Sequence, residues 1–139
     1  MPTTFQETTD RAWFIADAQD QILGRLAVRI ARALMGKAKP SWSPHIDTGD
    51  FVVVTNAAKV GVSGRKEEDK LYRFHTGYAG GLVEMPLSRM RERKPDMLLR
   101  LAVRRMLPKT RQAREMFGRL KIYPGAEHPH AAQKPQPLP

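Results

Sequence analysis

Arg100, Arg104, Arg105, Lys109, Arg111, Arg114, Arg119 and Lys121 crowd one short stretch of the chain. Cations in such an array neutralise phosphates and displace the counterions that coat a nucleic-acid backbone. Arg100 and Arg104 stand one helical turn apart and share a face. Lys109 and Arg111 follow a break at Pro108, where the amides that open the next helix are also free. Residues 86–124 hold twelve basic against three acidic residues. That ratio does not fit the balanced Glu–Lys pairing of a solvated helix face, so the stretch reads as a phosphate-facing surface.

Three other groups could do chemistry. His75-Thr76-Gly77-Tyr78-Ala79-Gly80-Gly81 is a glycine-rich turn whose backbone another chain can approach closely. Arg73, His75, Thr76 and Tyr78 add a cation, hydrogen-bonding groups and a stacking ring, a combination suited to folded RNA. The turn matches neither the dinucleotide fingerprint nor the P-loop. Pro40 to Asp50 offers His45 with Asp47 or Asp50 as an acid–base pair. Its two prolines and turn-forming aspartates argue for rigid packing instead, with Lys37 and Lys39 as a basic flank. Glu127-His128-Pro129-His130 has residue types that ligate metals, but the chain holds only four histidines and nothing else completes a ligand set. His128 and His130 are therefore read as RNA-contacting imidazoles. No metal and no cofactor is expected.

These groups need a scaffold. Trp13–Asp17 is a short apolar run that reads as a buried strand, and Leu23–Met35 reads as a helix stopped at Gly36. Arg25, Arg29 and Arg32 form a cationic edge on that helix. Phe51–Thr55, apolar on both faces, reads as a central strand. Strand, helix, strand in that order suggests a parallel crossover. Residues 70–75 and 82–85 are weaker strands flanking the glycine-rich turn. Residues 87–94, 96–107 and 111–117 read as helices, the second opened by Pro95 and ended by Pro108. Residues 120–123 form a last strand. The expectation is an α/β fold: one three-layer domain over residues 1–139, with a small mostly parallel sheet flanked by helices. A short N-terminal extension would cover about residues 1–11. The Pro-, Ala- and Gln-rich end, about 125–139, would be an extended arm ordered only when a partner holds it.

Composition narrows the function. Among 139 residues, 24 Lys and Arg face 14 Asp and Glu, a net charge of +10. Self-repulsion of that size is most simply offset by a polyanion. The absence of cysteine excludes disulfides, zinc–thiolate sites and cysteine nucleophiles. No apolar run approaches the ~20 residues of a membrane span. The opening residues, MPTTFQETTDRAWF, lack the pattern of a secretory signal.

Three strings together resemble a known family. They are HIDTGDFVVVTNAAKV (residues 45–60), HTGYAGG (75–81), and VRRMLPK (103–109) followed by LKIYPGAEHPHAAQ (120–133). With WFIAD and LGRLAVRIARAL upstream, they resemble the bacterial form of the large-ribosomal-subunit protein thirteen family over about residues 11–137. The resemblance implies a three-layer α/β domain and a structural, non-enzymatic role in the large subunit. It implies binding to large-subunit rRNA beside neighbouring ribosomal proteins, early entry into assembly and a cytoplasmic location. In some members it also implies messenger-RNA binding. It carries over Lys109 and Arg114. Arg105 stands where the family often has glycine, and Arg111 is an additional cation. Two alternatives remain at this point: a metal-dependent nucleic-acid hydrolase using His45 and Asp47, and an architectural DNA-binding protein.

Overall fold

Trp13–Asp17 forms strand β1 and Phe51–Thr55 forms β2, with the bounds expected from their apolar runs. They pair in parallel, Trp13 opposite Phe51 and Asp17 opposite Thr55. The structure, a computed structural model, describes residues 10–139. The N-terminal extension therefore lies almost wholly outside the described residues.

Helix α1, Leu23–Met35, connects the two strands. Leu23, Leu26, Ile30 and Leu34 recur at helical spacing and are buried, while Arg25, Arg29 and Arg32 face solvent. Ile22 supplies no side-chain cap. Instead the Leu23 amide donates to the Gly61 carbonyl at 2.8 Å, which ties the helix start to the loop after β2. Gly36 ends the helix in a left-handed conformation.

Strands β5 (Leu120–Ile122) and β6 (Gln136–Pro137) complete an all-parallel sheet of order β5-β2-β1-β6. Register and alternation put Phe14, Ala16, Val52, Val54, Leu120 and Ile122 on one face. That face meets α1, helix α4 (Pro95–Met106) and helix α5 (Arg111–Gly118) in the main core, which includes Leu99, Val103, Ala113 and Met116. Each fully buried branched side chain there stabilises the fold by roughly 1.5–3 kcal/mol. On the opposite face Trp13 stacks on Phe51, with ring centroids 4.4 Å apart and planes 6° apart.

The C-terminal arm also packs on this face. Its His130 ring lies 5.2 Å from Trp13, and it forms only a 3₁₀ turn at Ala131–Gln133. Pro129, Pro135 and Pro137 leave it too few amide donors for a helix. The end of the arm pairs with β1, the Leu138 amide donates to the Ile15 carbonyl at 2.8 Å, and Leu138 is buried.

Strands β3 (Leu71–His75) and β4 (Leu82–Pro86) form a separate antiparallel hairpin. Helices α2 (Lys66–Asp69) and α3 (Leu87–Arg93) flank it. Tyr72, Leu87, Met90 and Leu98 build a second, smaller core that roots the hairpin against α4. Among the described residues no helix is long and apolar enough to cross a membrane.

Candidate nucleic-acid interface

The cationic stretch folds into a corner between α4 and α5. Leu98, Leu99 and Val103 bury one side of α4, so Arg104 and Arg105 emerge on the other. Pro108 interrupts the chain, and the Thr110 hydroxyl caps α5 by accepting the Ala113 amide at 3.4 Å. Ala113 and Met116 face inward, which turns Arg111 and Arg114 outward. Arg104, Lys109, Arg111 and Arg114 are exposed and have no polar partner among the described residues. Arg100 is different. It lies half-buried, 3.9 Å from Asp96 and over the Phe117 ring at 6.0 Å, so it braces α4 against α5. Arg105 leans over Tyr72, its guanidinium 5.9 Å from the ring centre.

Two expected contacts are corrected. Arg119 is only 5% exposed and cannot meet an external phosphate. One terminal nitrogen donates to Asp47 Oδ1 at 2.6 Å and to the Leu34 carbonyl at 3.1 Å, and the other donates to Asp47 Oδ2. This two-pronged pair joins β5, the end of α1 and the loop before β2. Lys39 is also committed. Its ammonium reaches Asp50 Oδ1 at 2.6 Å and the Asp10 and Thr48 carbonyls at 3.1 Å each, which uses all three N–H groups.

The 45–50 segment is therefore a latch. Asp50 also accepts the Ala12 amide at 2.8 Å, fixing the approach to β1. Gly49 passes so close to α1 that a Cβ there would stand 1.8 Å from the Leu34 carbonyl oxygen. With both Asp47 oxygens held by Arg119, the hydrolase alternative built on His45 and Asp47 loses its free carboxylate.

The glycine-rich turn caps the β3–β4 hairpin. Gly77 and Gly80 have φ of +94° and +70°, conformations other residues rarely adopt. The Gly77 amide donates to His75 Nδ1 at 2.9 Å, so a neutral His75 carries its proton on Nε2. The Thr76 amide closes the turn on the Gly81 carbonyl at 3.0 Å. Tyr78 is 80% exposed. Arg73 is exposed and bonded to Glu84 at 2.6 Å, so part of its charge is answered within the hairpin.

The remaining expected residues are dispersed. Lys37 is exposed, its ammonium 5.6 Å from the Trp42 ring centre. Lys121 sits half-buried opposite Val53, on the Trp13 side of the sheet. His130 contacts the Tyr123 hydroxyl at 2.9 Å, and its amide donates to His128 Nδ1 at 3.2 Å. These histidines fasten the arm, and no cluster fit to hold a metal exists among the described residues.

Sequence reasoning missed several roles. Arg29 donates to the Leu138 carbonyl at 2.8 Å and the Pro139 carbonyl at 3.2 Å, so it clamps the arm, while Arg25 and Arg32 on the same edge are exposed. Arg91 binds Glu67 and the Ala58 and Val60 carbonyls. Tyr72 gathers two cations, Lys70 at 5.3 Å and Arg105 at 5.9 Å. Burial raises its phenol above the usual range, against a smaller opposing pull from Arg105 and Arg91. The alternation of Lys70 and Tyr72 was visible in the sequence, but the approach of Arg105 was not.

Comparison with known proteins matches the sequence to a family. Residues 11–129 match the model of the family described as ribosomal protein L13. The chain is 56% identical to the large ribosomal subunit protein uL13 of Rubrobacter xylanophilus over 128 residues, covering 92% of this chain and 90% of that protein. It is 54% identical to the protein of the same name from Caldanaerobacter subterraneus over 129 residues, covering 93% and 90%. For the one from Thermotoga petrophila the identity is 52% over 132 residues, covering 95% and 89%.

Proposed function

The chain belongs to the ribosomal protein L13 family, and from that premise we propose that it is a structural component of the large ribosomal subunit, held against rRNA by the α4–α5 corner. The observation that carries the contact assignment is that Arg104, Lys109, Arg111 and Arg114 have no polar partner among the described residues. Cations without internal partners keep their full charge for phosphates. The His75–Gly81 turn adds a second contact through Tyr78, the outward His75 nitrogen and the glycine backbone. Most bonds would go to phosphate and sugar, which position a protein without reading sequence. Lys37, Arg73 and Arg105 extend this surface. Neighbouring large-subunit proteins are the remaining partners. Messenger RNA shares the backbone chemistry and would compete for the same corner.

The test is a salt titration of binding to large-subunit rRNA fragments. Replacing Lys109 and Arg114 together by alanine should lower the slope of log affinity against log salt by about 1.4–1.8, two phosphate contacts' worth. An unchanged slope removes the corner from the interface. Competition between folded RNA and duplex DNA at matched salt separates this reading from the DNA-binding alternative, since a surface fitted to RNA shape favours the former.

A further inference from the structure

Between the start of α1, the α2 region and α4 runs an open groove of about 560 Å³. Its walls are apolar, with Ile22, Val62, Ala102 and Met106 among them, and Tyr72 closes its floor. Ile22 and Met106 remain more than a third exposed, so the fold leaves the groove uncovered. Lys66, Lys70 and Arg105 line it against a single acid, Asp69. Apolar walls, a cation-bearing rim and a guanidinium laid over a tyrosine are the parts of a stacking platform for a nucleobase whose phosphates need neutralising.

Gly24 gives a second, independent observation. It lines the groove within the first turn of α1, and a Cβ there would meet nothing within 4 Å. Its φ is not positive, so neither backbone conformation nor internal packing calls for glycine. Glycine in a helix interior is less favourable than alanine by roughly 1 kcal/mol, and Gly24, second in α1, bears part of that cost. The bare backbone there leaves room for an external group to approach closely.

We propose that this groove receives one unstacked base of the bound RNA, which lies against Arg105 and the Met106–Ile22 rim while Lys66 and Lys70 hold the adjoining phosphates. The inference rests on the rRNA-binding reading and names a subsite within it. Charge favours RNA over an apolar side chain from a neighbouring protein, because such a side chain would leave the cationic rim unanswered.

Gly24→Leu fills the groove from a position with free space around it, and Ile22→Asp adds a helix cap while placing an anion at the mouth. Both should melt no lower than the parent. Titrated with deproteinised large-subunit rRNA, Gly24→Leu should lose roughly 5- to 150-fold in affinity, the range one stacked base is worth. Its salt slope should fall by no more than the two contacts at Lys66 and Lys70, because the phosphate contacts at Lys109 and Arg114 persist. Ile22→Asp should weaken binding in the same direction. If the parent binds rRNA and both variants bind equally well, the base subsite is overturned. Undiminished rRNA affinity with lost incorporation into reconstituted large subunits also overturns it, and gives the groove to a protein side chain. A parent that shows no salt-dependent rRNA binding would instead defeat the reading on which the subsite rests.

Discussion

Arg114 and Arg119 are near neighbours in the chain, of one residue type, and they do opposite work. Arg114 projects from α5 with no partner among the described residues. Arg119 turns inward, where Asp47 and the Leu34 carbonyl take up its guanidinium. The same contrast separates Lys109 from Lys39. A positive charge becomes an interface when the fold gives it no acid, and a fastening when the fold buries an acid beside it. Net charge therefore overstates what faces a polyanion. Arg29, Lys39, Arg91 and Arg119 all serve the chain itself.

The comparison breaks most sharply at Arg119. Arg119→Met should destabilise the protein by about 3 kcal/mol, the low end for a broken buried pair, because the largely buried Asp47 keeps as counter-charge only the looser contact with Arg11 at 3.7 Å. Chemical denaturation measures this, and adding Asp47→Leu should restore part of the loss. Gly49→Ala attacks the same latch through sterics, since its methyl group would collide with the Leu34 carbonyl, and should lower stability by about 1–3 kcal/mol. The open corner should behave oppositely. Lys109→Ala with Arg114→Ala should leave stability within about 0.5 kcal/mol while flattening the salt dependence of rRNA binding. A large loss of stability from that pair would erase the distinction.

The smallest effect concerns pH. The Gln19 amide and the Asn56 side chain, with a lesser pull from Lys59, hold the Asp17 carboxyl below its usual range, against an opposing effect of burial. A lowered folded-state pKa contributes stability that is present above the ordinary carboxylate value and is lost as pH falls through the lowered one. Asn56→Gly keeps the left-handed backbone of Asn56 and removes the amide that bonds Asp17 at 2.9 Å. Its stability gap from the parent should be constant near neutral pH and narrow in acid. A gap independent of pH would show that Asp17 is not the cause.

Much of the scaffold was legible in the residues. The bounds of β1, α1 and β2 follow from apolar runs and from Gly36, because these segments carry strong periodicity and clear stops. Helix α2 escaped, since its four residues bury nothing and so leave no apolar pattern. Strand β6 escaped because two residues in a proline-rich arm carry no period, and only the free edge of β1 makes them a strand. The candidate interface was legible as a region and not residue by residue. Whether an arginine is buried depends on an acid far away in sequence, and local composition holds no record of that distance.

The Arg119–Asp47 latch closes across 72 residues. A growing polypeptide presents Asp47 long before its partner is made. At roughly 5–20 residues per second, the wait is on the order of 4–14 s. During that interval β1, α1 and β2 can gather, but the clasp that locks them has only its acidic half. Commitment to the native state thus belongs to the late stage of synthesis, when β5 arrives and brings the missing guanidinium with it.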